Sequence, residues 1–338
     1  MKIVFVGNLG SSVVSVPNGQ SQKTIEWRNC LEALGHKLFI VDTSLALSSW
    51  IRLLLIFKHD TYFLLIPGKN SLCFFSLAII VHKLISGSSS ETIIVAVGGW
   101  LPKTLLHNYF LRFVVGLCDA VYVQSIRAQM ELKLLGVNSF VCPNTRDLQP
   151  VTTRSFSYRP LKLLFFSRVR FDKGIADAVS VHESIQAQGI NSSLSVVGPM
   201  FKSESHLIDP LLTKPNISYL GVINGSQSIL DLMTAHDFLL FPSTYLGESI
   251  PGAIVEALFA GLPCIAKDWI DVPEIIDHDK TGYFFPPHSY IKDSVNLLLN
   301  ISPSDLQRLS SNCLIKASSF TSESLSRTVK AYSFHRLQ

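Results

Sequence analysis

The most informative segment of this chain reads Gly247-Glu248-Ser249-Ile250-Pro251-Gly252-Ala253-Ile254-Val255-Glu256-Ala257-Leu258. The apolar run Phe238–Phe241 just before it predicts a buried strand. Pro251 suits the first turn of a helix, and Gly261 suits the residue past its end. These signals predict a helix from Pro251 to Ala260 with Ser249 as its N-cap. A helix N-terminus that follows a strand and a loop is a ready site for an anion.

Two carboxylates flank this helix start along the chain. Glu248 precedes it, and Glu256 lies inside it as the only charge between Ser249 and Ala266. Six residues of helix span roughly 9 Å, which is about the distance from one sugar across a diphosphate to another. The spacing predicts a nucleotide-sugar site with phosphates at the helix start and one carboxylate on each sugar. The alternative is that Glu248 only complements the helix dipole and Glu256 faces water.

Composition excludes several classes of protein. Hydrophobic residues make up 47% of the 338 residues and charged residues 16%, and the mean hydropathy is +0.32. No apolar stretch reaches the roughly 18 residues of a membrane-spanning helix. The first residues are too short a run for an export signal, so we expect the protein to stay inside the cell. The length allows two domains, each with its own core.

Charge is unevenly distributed along the chain. Residues 1–150 hold 13 Lys and Arg against 8 Asp and Glu, and the rest holds 16 against 17. A basic, apolar-rich first half indicates contact with anionic lipid at the inner membrane surface or with a lipid-phosphate acceptor, although a solvated basic surface is the simpler interpretation. We expect no nucleic-acid partner. The six scattered cysteines show no zinc spacing and are expected to be reduced core residues.

Short apolar strands alternate with helical stretches throughout the chain, which is typical of α/β proteins with parallel sheets. The predicted strands are Ile3–Val6, Lys37–Val41, Tyr62–Ile66, Thr92–Val97, Ala120–Val123, Ser139–Val141, Lys162–Phe166, Ser193–Val197, Ile217–Tyr219, Phe238–Phe241 and Cys264–Ala266. A polar, proline-bearing segment divides them near residue 150. We therefore predict two doubly wound, Rossmann-like domains, 1–150 and 151–319, that face each other across a cleft, with the tail 320–338 packing back on the first.

Two strand ends in the second half offer further binding groups. Arg168 and Lys173 follow the strand Lys162–Phe166, where Arg168 could grip phosphate oxygens and Lys173 could act as a point charge. The alternative is a pair of solvated surface cations. Gly198 ends the next strand, and Val222 and Ile223 follow the one after, where a nucleotide base could lie.

Two loops of the first half are weaker candidates. Gly19 lies in a flexible loop before a helix predicted to begin near Gln22, where it could approach a phosphate closely. Gly98 and Gly99 end a strand before Trp100, whose ring, if exposed, could stack on a sugar; a turn with a buried Trp is the alternative. The segment Asp277-His278-Asp279 has an Asp-x-Asp form that could hold a metal, but its polar, glycine-ended context predicts a turn.

Taken together, these motifs resemble the retaining glycosyltransferase family 4 (group 1), a GT-B fold family that includes bacterial surface-polysaccharide and lipopolysaccharide enzymes. The resemblance covers nearly the whole chain and is strongest from Leu163 to Phe285. Its most specific element is Gly247-Glu248 with Glu256-Ala257 eight residues on. The other matching motifs are Ala260-Gly261-Leu262-Pro263, Glu274, Lys280-Thr281-Gly282-Tyr283-Phe284, Ser167-Arg168 with Lys173-Gly174, Cys118-Asp119-Ala120-Val121 with Ser125, and Pro143-Asn144.

The resemblance implies a role for each matched residue. Glu248 would contact the donor hexose, Glu256 the ribose, and Arg168 with Lys173 the diphosphate. Backbone N–H groups near Ser249 and Ile250 would complete the phosphate cradle. Many members carry a His after the strand equivalent to Thr92–Val97, and this chain has Gly98-Gly99-Trp100 there instead. The residue that acts on the acceptor is therefore unassigned. The resemblance also implies that 1–150 is the acceptor-binding domain and 151–319 the nucleotide-sugar donor-binding domain.

The function so implied is transfer of a sugar from a UDP- or GDP-linked donor to a lipid-linked saccharide, with retention of configuration, in capsule, exopolysaccharide or O-antigen assembly. The enzyme would need no metal or organic cofactor and would work in the cytoplasm, peripherally on the inner face of the cell membrane. Two alternatives stay open: a nucleotide-sugar 2-epimerase on the same fold, and a two-lobed α/β sugar-binding protein.

Overall fold

The computed structural model describes residues 2–10, 19–44, 62–86, 90–152, 154 and 160–332. These residues form two compact units. The first takes in the chain up to Asp147 and again from Phe320, and the second is Leu148–Ser319. Each unit is built on one six-stranded parallel sheet with helices between its strands. The prediction of two doubly wound α/β domains is confirmed.

The first unit has the strand order β2-β1-β3-β4-β5-β6, and every neighbouring pair is parallel. Its strands are β1 Lys2–Gly7, β2 Lys37–Asp42, β3 Tyr62–Ile66, β4 Thr92–Val95, β5 Ala120–Val123 and β6 Ser139–Val141. Its helices are α1 Gly19–Ala33, α2 Ser71–Ser86, α3 Leu101–His107, α4 Tyr109–Gly116 and α5 Ile126–Leu134.

The second unit has the strand order β12-β11-β10-β7-β8-β9, again with every neighbouring pair parallel. Its strands are β7 Leu161–Phe166, β8 Ser192–Val197, β9 Ile217–Tyr219, β10 Phe238–Phe241, β11 Cys264–Lys267 and β12 Gly282–Phe285. Its helices are α6 Ile175–Ala187, α7 Lys202–Leu212, α8 Ser226–Thr234, α9 Gly252–Phe259, α10 Val272–Ile275, α11 Tyr290–Asn300 and α12 Pro303–Ala317. The last helix, α13 Ser322–Tyr332, belongs to the first unit.

The core of each unit follows from strands that are apolar on both faces. β3 and β10 are buried along their whole length, as expected for strands covered by helices on each side. In the first unit, Leu325 and Val329 of α13 are buried in the same cluster as Trp27 and Leu31 of α1. The end of the chain therefore contributes to the core that its beginning forms.

Several element boundaries differ from the predictions, most of them by one residue at a strand end. β12 was not predicted as a strand, because the short run Gly282–Phe285 follows a turn and shows no alternation. The strand predicted at Thr92–Val97 ends at Val95, since the turn begins before Gly98. The helix predicted from Pro251 to Ala260 is Gly252–Phe259, with Pro251 just outside it.

Among the helices that the structure describes, none combines the length and the apolarity needed to cross a bilayer.

Candidate active site

The second sheet reverses its strand order between β7 and β10. The chain runs from β7 outward through β8 to β9 and then returns to place β10 on the other side of β7. Helices that follow these two central strands therefore lie on opposite faces of the sheet, which leaves a crevice at the carboxyl ends of the strands. Open α/β sheets bind ligands at such a switch point. The loops after β7 and β10 are where Arg168, Lys173 and Glu248 lie.

The loop after β7 places two cations at this edge. Arg168 follows the strand directly, and a short 3-10 turn, Phe171–Lys173, carries the second cation to the start of α6. Gly174 ends the turn with a φ of 82°, and a Cβ there would lie 2.3 Å from the backbone oxygen of Pro242, after β10. Only glycine fits between the two loops at this point.

The loop after β10 presents Glu248 to these cations. Lys173 Nζ forms an ion pair with Glu248 Oε2, and the lysine side chain is 5% exposed. Ser243 Oγ donates a hydrogen bond to the same carboxylate oxygen at 3.0 Å. The backbone N–H of Thr244 donates to the Asp172 carbonyl at 3.0 Å and joins the two loops. The structure therefore brings together Glu248 and Lys173, which are 75 residues apart in the chain.

Both predicted cations, Arg168 and Lys173, contact the ring of Tyr245. The Arg168 guanidinium carbon lies 5.3 Å from the ring centroid, and Lys173 Nζ lies 4.3 Å from it. Both distances fall in the range of cation–π attraction. The ring also packs on Gly247, where a Cβ would come within 2.7 Å of it. Sequence reasoning missed Tyr245, although its place in the strand-end loop, three residues before Glu248, could have marked it.

The helix α9 begins beside this group. Its first N–H groups have no partner within the helix, as in any α-helix, and its dipole favours an anion there. The prediction of Ser249 as the N-cap is wrong: the N-cap position is Pro251, and Ser249 Oγ donates instead to Asp271 Oδ2 at 2.8 Å. Both residues are buried. Asp271, which carried no motif in the sequence, therefore holds the segment that includes Ser249 and Ile250.

The end of α9 follows the prediction. Gly261 has a φ of 61°, its N–H donates to Leu258, and the N–H of Leu262 donates to Ala257. This pair of bonds is a Schellman motif, which requires a left-handed residue at the position of Gly261. Glu256 is 7% exposed, so the interpretation in which it faces water is wrong.

The residues predicted near the base lie on the other side of the switch point. Gly198 ends β8 with a φ of 140°, and a Cβ there would lie 1.8 Å from the Ser167 carbonyl oxygen. Its N–H donates to Gly221 at 2.8 Å, and its carbonyl accepts from the Tyr219 hydroxyl at 2.9 Å. Val222 is 41% exposed and, with Ile223, follows β9. Gly198 therefore joins the loop that carries Arg168 to the loop that carries Val222.

The weaker candidates lie in the first unit. Gly19 is the first residue of α1 and not part of a loop, so the helix begins three residues earlier than predicted. Asn18, which precedes it, lies outside the described residues. Trp100 is half-buried against the core, and its indole N–H donates to the Val97 carbonyl at 2.8 Å. The ring therefore lies between the two alternatives, neither freely exposed nor buried. Gly98 forms the predicted turn with a φ of 86°, beside Gly99.

The Asp-x-Asp segment forms the turn that its sequence predicted. Asp279 has a φ of 59°, and the N–H of Asp279 donates to Gly282 at 2.8 Å. Arg308 and the Tyr283 hydroxyl bind the Asp279 carboxylate, and Lys316 binds that of Asp277 at 2.7 Å. Within the described ranges, no three His, Cys, Asp or Glu side chains are grouped so as to hold a metal ion.

Residues 155–315 match the sequence model of the family Glycosyl transferases group 1. The match includes the loops after β7 and β10, α9 and the strands that position them. The amylovoran biosynthesis glycosyltransferase AmsK of Erwinia amylovora is 23% identical over 140 residues, 39% of this chain and 34% of that protein. The N-acetyl-alpha-D-glucosaminyl L-malate synthase of Bacillus anthracis is 28% identical over 123 residues, 36% of this chain and 31% of that protein. The aligned region is thus about a third of these relatives' length.

Solved structures show the fold over nearly the whole chain. HepE of Anabaena in complex with UDP has a TM-score of 0.71 at 17% identity and covers 98% of this chain and 99% of its own. The sucrose-phosphate synthase of Thermosynechococcus elongatus has a TM-score of 0.72 at 14% identity and covers 98% of this chain and 97% of its own. The GT-B fold is confirmed by this likeness.

Proposed function

We propose that this protein is a glycosyltransferase that moves a sugar from a nucleoside-diphosphate donor to a saccharide acceptor. The observation that carries the proposal is the meeting of Arg168, Lys173 and Glu248 at the switch point of the second sheet, beside the N-terminus of α9. Cations and a helix start suit a diphosphate, and a carboxylate among them suits sugar hydroxyls. The family match over residues 155–315 supports the same chemistry.

The proposed reaction retains the configuration of the transferred sugar. The bond between the anomeric carbon and the β-phosphate oxygen breaks, and a bond from that carbon to an acceptor hydroxyl oxygen forms on the same face. The acceptor proton passes to the departing diphosphate oxygen. Arg168, Lys173 and the α9 N–H groups stabilise the charge that develops on the diphosphate, because they are fixed before the bond breaks. Glu248 holds the hexose and Glu256 the ribose.

The donor and the acceptor are proposed from the relatives. HepE has been solved with UDP and with UDP-glucose, which supports a UDP-linked donor, with a GDP-linked one as the alternative. The relative AmsK belongs to amylovoran biosynthesis, which supports a polysaccharide pathway. The basic first half of the chain supports a lipid-linked acceptor at the inner face of the cell membrane, reached from the cytoplasm.

Donor binding and transfer can be tested separately. We expect calorimetry to show binding of UDP or GDP. With a panel of UDP- and GDP-linked sugars, we expect the enzyme to release the nucleotide only when a lipid-linked saccharide acceptor is present. Release of free nucleotide and an epimerised sugar without an acceptor would replace transfer by 2-epimerisation. Binding of free sugar with no affinity for either nucleotide would instead indicate a sugar-binding protein.

We also propose that transfer needs no divalent metal, since two cations and the helix start neutralise the diphosphate. Activity in excess EDTA should equal activity in buffer alone. Activity that disappears with the chelator and returns with manganese would contradict this proposal.

A further inference from the structure

Three neighbouring helices of the first unit carry exposed apolar side chains. In α4, Leu111, Val114 and Val115 are buried, as an amphipathic helix requires. Its opposite side should be polar but carries Tyr109, Phe110 and Phe113, which are 80%, 53% and 63% exposed. The helix is therefore apolar around most of its circumference while one side of it meets solvent.

The flanking helices extend this surface. Leu106 of α3 is exposed, and so are Met130 and Leu134 of α5, which lie four residues apart on one side of their helix. α3 packs against both α4 and α5. Arg112 Nε of α4 donates a hydrogen bond to the Leu135 carbonyl at 3.0 Å, so α4 contacts the end of α5. We call the surface formed by Leu106, Tyr109, Phe110, Phe113, Met130 and Leu134, with the exposed cations among them, the three-helix face.

The charges on this face have one sign. Lys103 and His107 are exposed on α3, and Lys133 is exposed on α5. Between Thr61 and Met130 the only acidic residues are Glu91 and Asp119, and Asp119 is bound to Lys83. The one acid on α5, Glu131, is paired with Arg127 at 2.7 Å. The apolar side chains are thus bordered by lysines that have no ion-pair partner among the described residues.

We propose that the three-helix face docks on the anionic surface of a lipid bilayer. Aromatic and aliphatic side chains with lysines at their border are the composition that binds the headgroup region, where apolar groups insert and cations meet lipid phosphates. A second copy of the chain fits this face poorly, because a symmetric contact would bring two faces of the same positive charge together. An uncharged apolar partner would leave the lysines without a role.

The position of the face suits a lipid-linked acceptor, so this inference rests on the proposed function. α3 begins directly after Trp100, and α5 begins two residues after Gln124. The Gln124 side chain accepts a hydrogen bond from the N–H of Gly98 at 2.9 Å. The three-helix face therefore begins at the loops where β4 and β5 end, beside Trp100, the candidate for stacking on an acceptor sugar.

The test is co-sedimentation of the full chain with two kinds of vesicle, pure phosphatidylcholine and a mixture of one part phosphatidylglycerol to two parts phosphatidylcholine. We expect binding to the anionic vesicles at low salt and release at high salt, because screening shortens the reach of surface charge from about 10 Å at 0.1 M to about 3 Å at 1 M. Equal binding to both vesicles, or binding to neither, would overturn the proposal.

Two double variants separate the contributions of charge and apolar contact. The double variant Lys103→Gln, Lys133→Gln should bind anionic vesicles at least about tenfold more weakly than the wild type, given the energy of each cation near such a surface. The double variant Tyr109→Ser, Phe113→Ser should lower the partition onto anionic vesicles by a similar factor at both salt concentrations. The matched controls are Lys292→Gln and Ile315→Ser, exposed residues of the second unit, which should leave the partition unchanged.

Two further measurements on the same samples keep the result interpretable. One outcome is that the wild type is a dimer and the Tyr109→Ser, Phe113→Ser variant a monomer that still binds vesicles. In that case the face is an interface between copies and the proposal fails. UDP binding by calorimetry should be the same in all variants, which shows that they fold. A wild type that binds anionic vesicles but neither UDP nor GDP would retain the docking face and refute sugar transfer.

Discussion

Lys173 is held in place before any ligand arrives. Its ammonium is almost fully buried, bound by the Glu248 carboxylate and set over the Tyr245 ring. A lone buried cation would be strongly unfavourable, and its partner makes the site stable. With Arg168 above the same ring, the three ionic groups leave one excess positive charge, which suits the charge of a diphosphate.

The first prediction concerns these two cations. Replacing Arg168→Ala or Lys173→Ala should weaken UDP binding by about 1.5–3 kcal/mol, the range for hydrogen bonds to charged groups. Calorimetry at constant salt measures the effect. The control is Arg170→Ala in the same loop, because Arg170 is already paired with Asp172 at 3.1 Å and with Glu204 at 3.4 Å. Wild-type affinity in both Arg168→Ala and Lys173→Ala would refute their assignment to the diphosphate.

Lys173→Ala has a second effect that must be separated from the first. It leaves Glu248, whose side chain is 17% exposed, without its cation, and loss of one partner from a buried pair costs about 3–5 kcal/mol of stability. The double variant Lys173→Ala with Glu248→Gln should recover much of that stability and none of the UDP affinity. Recovery of both would mean that Lys173 acts only through the pair.

The second prediction separates the two glutamates. Glu248→Gln should lower kcat more than it raises KM, because the hexose that Glu248 is proposed to hold changes charge and shape at the transition state. Glu256→Ala should mainly raise the donor KM and weaken UDP binding by about 1–3 kcal/mol, since it would leave the ribose hydroxyl that Glu256 is proposed to bind without a partner. With the sugar-free nucleotide, Glu248→Gln should bind nearly normally and Glu256→Ala poorly. The reverse order, or normal binding by both, would contradict the assignment.

At the residue scale, the sequence pointed to charged groups but not to the aromatic ring between them. Glu248, Arg168 and Lys173 could be selected because they follow strand ends and flank helix starts, and because they match motifs of the family that the chain resembles. Tyr245 could not, since its role depends on how the loop after β10 folds over the loop after β7. Asp271 was missed for the same reason: its contact with Ser249 joins positions 22 residues apart.

At the scale of elements, the carboxyl end of β8 is fixed by a close backbone contact. The chain passes Gly198 with its α-carbon against the Ser167 carbonyl, and no side chain fits there. The same glycine binds the loop after β9 through its N–H. The position of Arg168 therefore depends on a residue that has no side chain.

The third prediction follows from this contact. Gly198→Ala places a methyl group within the radius of the Ser167 oxygen and should lower the stability by about 1–3 kcal/mol or more, with weaker UDP binding because Arg168 shifts. Thermal unfolding and calorimetry measure the two effects. The control is Gly116→Ala, where a Cβ meets nothing within 4 Å and which should stay within about 1 kcal/mol of the wild type. A fully stable Gly198→Ala variant with normal affinity would show that the loop after β7 adapts.

Strand positions were predictable because each strand is a short apolar run bounded by turn residues, and five of the eleven predicted strands have the observed bounds at both ends. Helix starts were less predictable. Ser249 has the residue type and place of an N-cap, but a buried acceptor on another segment, Asp271, competes successfully for its hydroxyl. Gly19 was predicted to lie in a loop because glycine is typical of loops, yet α1 begins at this residue.

At the scale of the whole molecule, the sequence predicted two parallel sheets but not their strand order. The order decides where the candidate site of the second unit lies, because it brings the loops after β7 and β10 to the same crevice while β8 and β9 lie to one side. Periodicity carries no information about which strands become neighbours. The likeness to HepE shows the fold of the whole chain, and the match of residues 155–315 to a family supports the choice of the second unit for the candidate site. Local sequence patterns could give neither.

The last prediction concerns the pH dependence of stability, through His182 and His236 of the second unit. Both are buried, and burial lowers the pKa of each imidazole from its usual 6.5, because the charged form loses its hydration. His236 lies 2.7 Å from the Leu232 carbonyl through Nδ1 and 2.8 Å from Ser195 Oγ through Nε2, an arrangement that suits the neutral ring. The folded state thus binds fewer protons than the unfolded state between the two pKa values.

The stability contributed by this difference is fully present above about pH 6.5 and is lost as the pH falls through the folded-state pKa values. The slope is at most about 1.4 kcal/mol per pH unit for each site. The buried Asp237, whose pKa is raised by loss of hydration, acts with the opposite sign. Thermal unfolding of the His182→Gln, His236→Gln double variant should therefore depend less on pH between 7 and 5 than that of the wild type. The exposed His206→Gln is the control, and an equally steep dependence in all three proteins would show that other groups govern the acid sensitivity.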